Sequence, residues 1–443
     1  MLSLPKLFDY SEPHPVIPQD TINYNSSVVP INGSSFLPSS QIILDLPRME
    51  AHLIPDSLYI KFTCAVVSTT AAPNMLGTPV FTPFQRVEVI SNGTFLESQN
   101  GFNFVQNMVN TLTLNYAQKI GAQSSYGYSG TENNAGDMDG RTLSAVTGET
   151  FSVSAPLSCI LSNCQKAVPL SGPQFRLTFT LDSLSAMFGF VNTSTLSSLT
   201  ISNFELFYNI VQFPQEVRTS LLNIPRLSIK SLTFIHSTQP LPVGVSGAQF
   251  LTFNVRAMSI KALFLTFTPS SAATAATGVG SWVNNGYDCF DCTNGNSAGS
   301  QGGDYSVIIN GQQYPNKVLS VLTGRSGLIM ELKKAVCSLG VEYEKIYDKN
   351  NDINITNAEW NYPATTSPQT TKAIPSKFIV GISCERVHNN KVLFSGVNSQ
   401  NSSITVRVNI PVATTLAFNA NLTCVCDALL NIDQQNGITS VVV

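Results

Sequence analysis

One half of this 443-residue chain restates the other. The strand-like run Val87-Glu-Val-Ile-Ser91 leads into Asn92-Gly93, and Asp304-Tyr-Ser-Val-Ile-Ile309 leads into Asn310-Gly311 at the equivalent place in the second half. Phe250-Leu-Thr-Phe-Asn-Val255 and Ala262-Leu-Phe-Leu-Thr-Phe-Thr268 echo the runs around Ile42 and Tyr59. Ile404, Val406, Val408 and Ile410 alternate around Arg407, as Phe175, Leu177, Phe179 and Leu181 alternate around Arg176. Asn421 to Ile432 matches Thr200 to Ile210, each segment closing on an Asn-Ile pair. The offset is 218 for the Asn-Gly pair and 222 for the closing Asn-Ile pair, and half the chain is 221.5 residues. Length alone allows two or three domains at roughly 150 residues each. The repeat selects two.

The repeated segments read as strands: β-branched and aromatic runs with period-two alternation, parted by Gly, Pro, Asn and Ser clusters. Each Asn-Gly marks a type I′ hairpin, whose two central residues need positive φ. A helical stretch follows each hairpin. Phe104, Val105, Met108, Val109 and Leu112 share one helical face, and so do Leu328, Ile329, Leu332, Ala335, Val336 and Leu339, with Gly340 placed as a stop. Both stripes are expected to face a core. The expected fold class is all-β, two tandem β-sandwiches with short helices and long inserted loops. The expected organisation is an extended N-terminal arm over 1–40, a first unit over 41–213, a stiff linker over 214–225 bounded by Pro214 and Pro225, and a second unit over 226–443. Gln123–Ser144, Ser270–Gly303 and Asp348–Ser376 are the long loops, rich in Gly, Asn, Ser or Thr.

Composition narrows the function. Charged residues are 12% of the chain, about half the usual share, while apolar residues are 43%. A disordered acidic chain has more charge and less apolar content. Binding nucleic acid by phosphate neutralisation requires basic clusters, and the longest Lys/Arg run is Lys333-Lys334. A long-helix protein needs Ala, Glu, Lys and Leu in bulk. No window of 18 apolar residues offers a membrane span. Pro5, Asp9, Glu12 and Pro13 stand where a signal peptide would be apolar, so the chain is expected to be made inside a cell, and to stay there or be released by lysis. Sequons at Asn25, Asn32, Asn92, Asn192, Asn354, Asn401 and Asn421 are then read as chance products of an Asn-, Ser- and Thr-rich chain.

Motifs for catalysis or metal binding are missing. Nine cysteines in a chain without a secretory signal argue against a disulfide framework. Cys289-Phe-Asp-Cys292 is the single CxxC and has no second pair to complete a zinc site, so two thiols on a surface loop are expected. Cys424 and Cys426 are two apart and should point the same way into a core. His14, His52, His236 and His388 form no HExxH or paired ligand spacing. There is no G-x-S-x-G elbow, and Gly324-Arg-Ser-Gly327 is too short for a phosphate loop and lacks the lysine. A carboxylate pair for glycoside chemistry remains open, since its members can lie far apart in sequence. Asp348-Lys-Asn-Asn-Asp-Ile-Asn354 is the nearest approach to a calcium loop and is read as a polar loop tip. No catalytic, cofactor-binding or metal-ligating residue is nominated, and no enzyme activity or cofactor is expected.

The strand-hairpin-strand Phe84-Gln-Arg-Val-Glu-Val-Ile-Ser-Asn-Gly-Thr-Phe-Leu-Glu97, the run Phe204 to Phe213 closed by Pro214, and the opening strands of Ser39 to Val67 carry a resemblance. Together with the tandem organisation, they resemble the double jelly-roll major capsid proteins of double-stranded DNA viruses, of the polinton-like virus and virophage type. These belong to the wider lineage of tailless phage and adenovirus capsids. The resemblance implies two jelly rolls, a homotrimer with a pseudo-hexagonal outline, and tiling into an icosahedral virion shell. It implies as partners the chain itself, neighbouring capsomers, penton and minor capsid or cement proteins, and an internal membrane, with no sequence-specific nucleic-acid binding. Low charge suits such sides, because charged residues are depleted at interface cores. Two other readings stay open: a minor capsid or receptor-binding virion protein of the same fold, and a carbohydrate-binding or carbohydrate-active tandem jelly roll.

Overall fold

The computed structural model describes residues 20–443 except 69–73, 76, 115, 129–140, 143–148, 190–195, 223, 271–288, 290–291, 293–302, 322–324, 341–377, 387–392, 412, 415–416 and 435–436. The first half contains β1 (Ile22–Val28), β2 (Ser35–Phe36), β3 (Gln41–Asp45), β4 (His52–Leu53), β5 (Tyr59–Ser68), β6 (Asn74–Met75), β7 (Phe84–Ser91) and β8 (Thr94–Asn100). After these come α1 (Phe102–Thr113), α2 (Tyr116–Gly121), α3 (Gln123–Tyr126), β9 (Arg141–Thr142), β10 (Glu149–Pro156), β11 (Val168–Pro169), β12 (Phe175–Leu181), α4 (Leu184–Met187), β13 (Phe188–Gly189) and β14 (Leu196–Gln212). Helix α5 (Gln215–Leu222) leads into β15 (Arg226–Leu241), β16 (Gly247–Phe253), β17 (Ile260–Pro269), β18 (Asp304–Ile309) and β19 (Gln312–Ser320). The chain closes with α6 (Arg325–Val336), β20 (Val380–Ser383), β21 (Ile404–Ile410), β22 (Phe418–Asp433) and β23 (Ile438–Val442).

The two halves share one topology. One sheet of the first half runs β3-β12-β7-β8, and its counterpart runs β16-β21-β18-β19. The facing sheet of the first half has β10-β5-β14 with β1 on the far side of β14; its counterpart runs β20-β17-β22-β15. Each pair of four-stranded layers, antiparallel throughout, has the strand order of a jelly roll. The repeats read from sequence fall on matched strands: β3 with β16, β5 with β17, β7 with β18, β12 with β21, and β14 with β22.

Alternation decides which side of each strand is buried. Ile42 and Leu44 of β3, and Ile404, Val406, Val408 and Ile410 of β21, are fully buried while their neighbours are not. Phe62, Phe84, Phe179 and Phe204 form an aromatic centre in the first sandwich, with ring centroids 5.3–5.9 Å apart. Both hairpins turn as expected: φ is +47° at Asn92 and +82° at Gly93, +53° at Asn310 and +74° at Gly311. Gly340 ends the helical stretch after α6 at φ +81°.

Several expectations change. Within the N-terminal segment, Ile22–Val28 adds a strand to the first sandwich by pairing with β14, Val28 opposite Leu206 and Ile22 opposite Gln212. The connector holds a helix, α5. Part of the Gln123–Ser144 loop is the helix α3, and Arg141–Thr142 pairs with Asn74–Met75. Cys289 and Cys292 are buried and not on a surface loop: the Cys289 carbonyl accepts from Phe378 N at 3.0 Å, and Cys292 Sγ lies 3.8 Å from the Tyr305 hydroxyl. Tyr305 belongs to the second core, and so does Cys292. Cys424 and Cys426 are fully buried there, as their spacing required. Asp348–Ser376, His14 and His388 lie outside the described residues.

Candidate functional site: the seam between the sandwiches and the face beside it

Strands β15 and β22 pair over sixteen residues and serve both sandwiches. Leu422, Cys424 and Cys426 belong to the second core, whereas Ile229, Ala428, Leu430 and Ile432 pack into the first. The segment after β10 runs along β15 and bonds to it repeatedly. Gln165 N donates to the Lys230 carbonyl at 2.9 Å, the Ser231 hydroxyl to the Ile160 carbonyl at 2.6 Å, and Asn163 Nδ2 to the Leu232 carbonyl at 3.1 Å. Buried Glu97 of β8 closes this seam. Its carboxylate accepts from Ile160 N at 2.6 Å, from Gln99 Nε2 at 2.8 Å, and from the Thr233 hydroxyl. Burial pushes the Glu97 carboxyl pKa above the usual range, and these donors oppose the rise.

Two further ties lie beyond Glu97. The Asn92 side chain of the first hairpin donates to the Gly437 carbonyl and accepts from Arg48 Nη2 at 2.9 Å. Gln434 N donates to the Pro225 carbonyl at 3.0 Å, and Arg218 of α5 is 2.7 Å from Glu50.

Helix α1 fills the remaining gap. Val105, Met108 and Leu112 join Phe234, Ala262, Phe264 and Val425 of the second unit's outer sheet face in one cluster. Leu332, Ala335 and Val336 of α6 complete it. The start of α1 sits over His236, whose imidazole is 5.4 Å from the Phe104 ring and has Nδ1 3.0 Å from the Thr423 hydroxyl. Gly101 allows this approach: a Cβ there would lie 2.7 Å from His236 Cδ2, and its φ is +63°. Burial lowers the His236 pKa to about 4.

This arrangement binds protein surface to protein surface. Burial pushes the thiols of Cys159, Cys164 and Cys384 up to about 12, so they stay protonated and poorly nucleophilic at neutral pH. His52 packs edge-on to Phe213 at 5.6 Å, and burial lowers its pKa. Among the described residues, no group of three or more His, Cys, Asp or Glu could hold a metal. No helix there is long and apolar enough to cross a membrane. Nothing in the sequence marked Glu97, Thr233 or His236 as seam residues. Only a carboxylate and a glutamine inside an otherwise strand-like run, at Glu97 and Gln99, hinted at a polar contact.

No family model and no curated protein matches the chain. Solved structures do, over nearly its whole length. A chain of the PBCV-1 virus capsid matches at TM-score 0.61 and 12% identity, over 98% of this chain and 99% of that one. The Faustovirus major capsid protein matches at 0.58 and 10%, over 96% and 92%. The mavirus major capsid protein matches at 0.54 and 10%, over 100% and 95%. These neighbours are double jelly-roll proteins. The chain has that fold: two jelly rolls in tandem, joined by a common pair of long strands.

Proposed function

We propose that this chain is the major capsid protein of an icosahedral double-stranded DNA virus, and that it trimerises into pseudo-hexagonal capsomers. The observation that carries the reading is the seam. Two sandwiches of one topology are locked side by side by Glu97, α1 and the shared strands β15 and β22. The chain is thus a rigid pair of similar blocks, and three such pairs give six blocks around one axis. The full-length likeness to viral capsid proteins supports the same reading.

Heterologous contacts between such units close into rings or extend into lattices. The partners in this reading are other copies, neighbouring capsomers, penton and minor capsid or cement proteins, and an internal membrane. The blocks are 41–213 and 226–443, joined through 214–225, with 1–40 as an arm whose Ile22–Val28 lies in the first block's sheet. The role is structural and not enzymatic. With 24 basic against 27 acidic residues and no basic run longer than Lys333-Lys334, the chain leaves genome contact to another component.

Light scattering of the purified chain tests the reading. A particle of three times the single-chain mass of 47.8 kDa, with hexagonal outlines by electron microscopy, is expected. A stable monomer that binds or cleaves glycans refutes it.

A further inference from the structure

The matched topology exposes one difference between the units. In the second unit, Ala262, Phe264 and Val425 form the outer face of the β15-β22-β17-β20 sheet, which α1 and α6 cover. In the first unit the same face is open among the described residues. Ile60, Phe62 and Cys64 point into the core, so Tyr59, Lys61, Thr63 and Val67 stand on the outer side of β5. Tyr59 is 40% exposed and Val67 46%. Beside them on β14, Phe207 stacks flat on Tyr59 with ring centroids 4.8 Å apart, so a paired aromatic surface faces outward.

The two helices show the complementary imbalance. Helices α1 and α6 each have twelve residues and occupy the same place, between the hairpin and the next strand of their unit. No residue of α1 is exposed, because it lies between its own sandwich and the other. Helix α6 rests on its own sheet through Leu332, Ala335 and Val336. It leaves Ser326, Met330 and Lys334 exposed. Their spacing of four places them in one stripe along the helix.

We propose that the exposed stripe of α6 in one copy lies on the open β5–β14 face of the next copy. The contact that α1 makes inside the chain is thereby repeated between chains. This rests on the shell reading for the number of copies in the ring. The occupant is a second copy because the chain already shows this kind of sheet covered by this kind of helix, contributed by the other unit. Open face and exposed stripe sit on different units of the same chain. In the single chain α6 lies against β17, β19 and β20 of its own unit, and its contact with the open face of another copy is heterologous, as ring closure requires.

The test uses the full chain and single substitutions at exposed positions. Met330→Asp and Tyr59→Asp are expected to drop the mass from the trimer's to the single-chain 47.8 kDa, while the circular dichroism spectrum and a cooperative melt persist. Phe250→Asp, at a residue 61% exposed on a different sheet, should leave the trimer intact. Trimers that survive both face substitutions overturn the contact and leave the shell reading standing. Dissociation by Phe250→Asp to the same extent also overturns it, since the face would have no special role. A wild-type chain that stays monomeric overturns both. Should a face variant fail to fold, a photoreactive benzoylphenylalanine at position 330 of an otherwise wild-type chain decides. Crosslinks to peptides 59–67 or 205–209 of another copy support the contact, and crosslinks elsewhere, or none between copies, refute it.

Discussion

Replacing Phe264 by alanine should uncouple the two sandwiches. Phe264 is fully buried and lies in the cluster that joins α1 of the first unit to α6 of the second. Burying such a ring contributes about 1.5–3 kcal/mol by transfer, and the cavity left behind adds to the loss, for a usual total of about 3–5 kcal/mol. Where in that range the value falls depends on how far the site can collapse. The surroundings are tight: at Gly381, against α6, an added Cβ would lie 2.6 Å from Leu332 Cδ1. Collapse is therefore limited and the expected loss is about 4 kcal/mol, against a typical total stability of about 5–15 kcal/mol. That corresponds to roughly a thousandfold in equilibrium constant, at about 1.4 kcal/mol per tenfold. Urea unfolding at fixed protein concentration measures the loss, and amide hydrogen exchange locates it. Exchange should accelerate in both α1 and α6, although only one of them belongs to the unit that carries the mutation. Phe62→Ala, equally buried in the first core, should cost a similar amount without favouring these helices. A loss below about 1.5 kcal/mol, or acceleration confined to α6, would refute the account of the cluster as a joint between units.

Three other sets of substitutions probe the seam and its surroundings. Gly101→Ala brings a methyl against His236 at a positive φ. It should lower stability by at least about 1–2 kcal/mol, the cost of the left-handed conformation alone, read as a fall in Tm. His236 should make the protein acid-sensitive. Its pKa is about 4 folded and about 6.5 unfolded, so the unfolded chain binds the extra proton between those values. Stability is full above about pH 6.5 and falls by about 3 kcal/mol as pH drops to about 4, and His236→Gln should flatten that limb of a pH series of urea melts. Lys261 and Glu385 are 2.8 Å apart with side chains 1% and 4% exposed. Lys261→Met strands the carboxylate in the core and should cost about 3–5 kcal/mol. Asp45→Asn, which breaks the bidentate pair to half-exposed Arg176, should cost less than about 1 kcal/mol. Equal losses for the two in urea melts would contradict the burial argument.

The two units were legible in the sequence because strand alternation and Asn-Gly turns are local signals. Val87 and Val89 against Val307 and Ile309, each run ending in a hairpin, need no knowledge of what lies across the sheet. The seam was hidden because its logic is long-range. Phe95 looks like a core residue, yet a register shift between Val89 and Ile90 opposite it leaves it 63% exposed and turns Glu97 inward. A bulge of this kind reverses the parity on which sequence reading depends. The α1 stripe was legible, but its opposite face was not. Asn103, Gln106, Asn110 and Thr111 are polar in sequence and buried in the fold. Asn103 Nδ2 reaches Asp182 at 2.8 Å, and Asn110 Nδ2 reaches the Thr78 hydroxyl at 3.4 Å. Asn103 and Asn110 look solvated in sequence and are satisfied by protein. The burial of Cys289 and Cys292 likewise comes from partners outside the CxxC itself, with Phe378 far along the chain from Cys289.

The long strands also set a timetable. A nascent chain of two tandem domains ordinarily folds its first domain while the second is still being made. Here the first core includes Ala428, Leu430 and Ile432, which are translated long after Gln212, the last residue of β14. The first sandwich therefore keeps an apolar flank uncovered until β22 has been made. Both sandwiches are thus completed in one late step, and a product cut short before β22 lacks part of both cores.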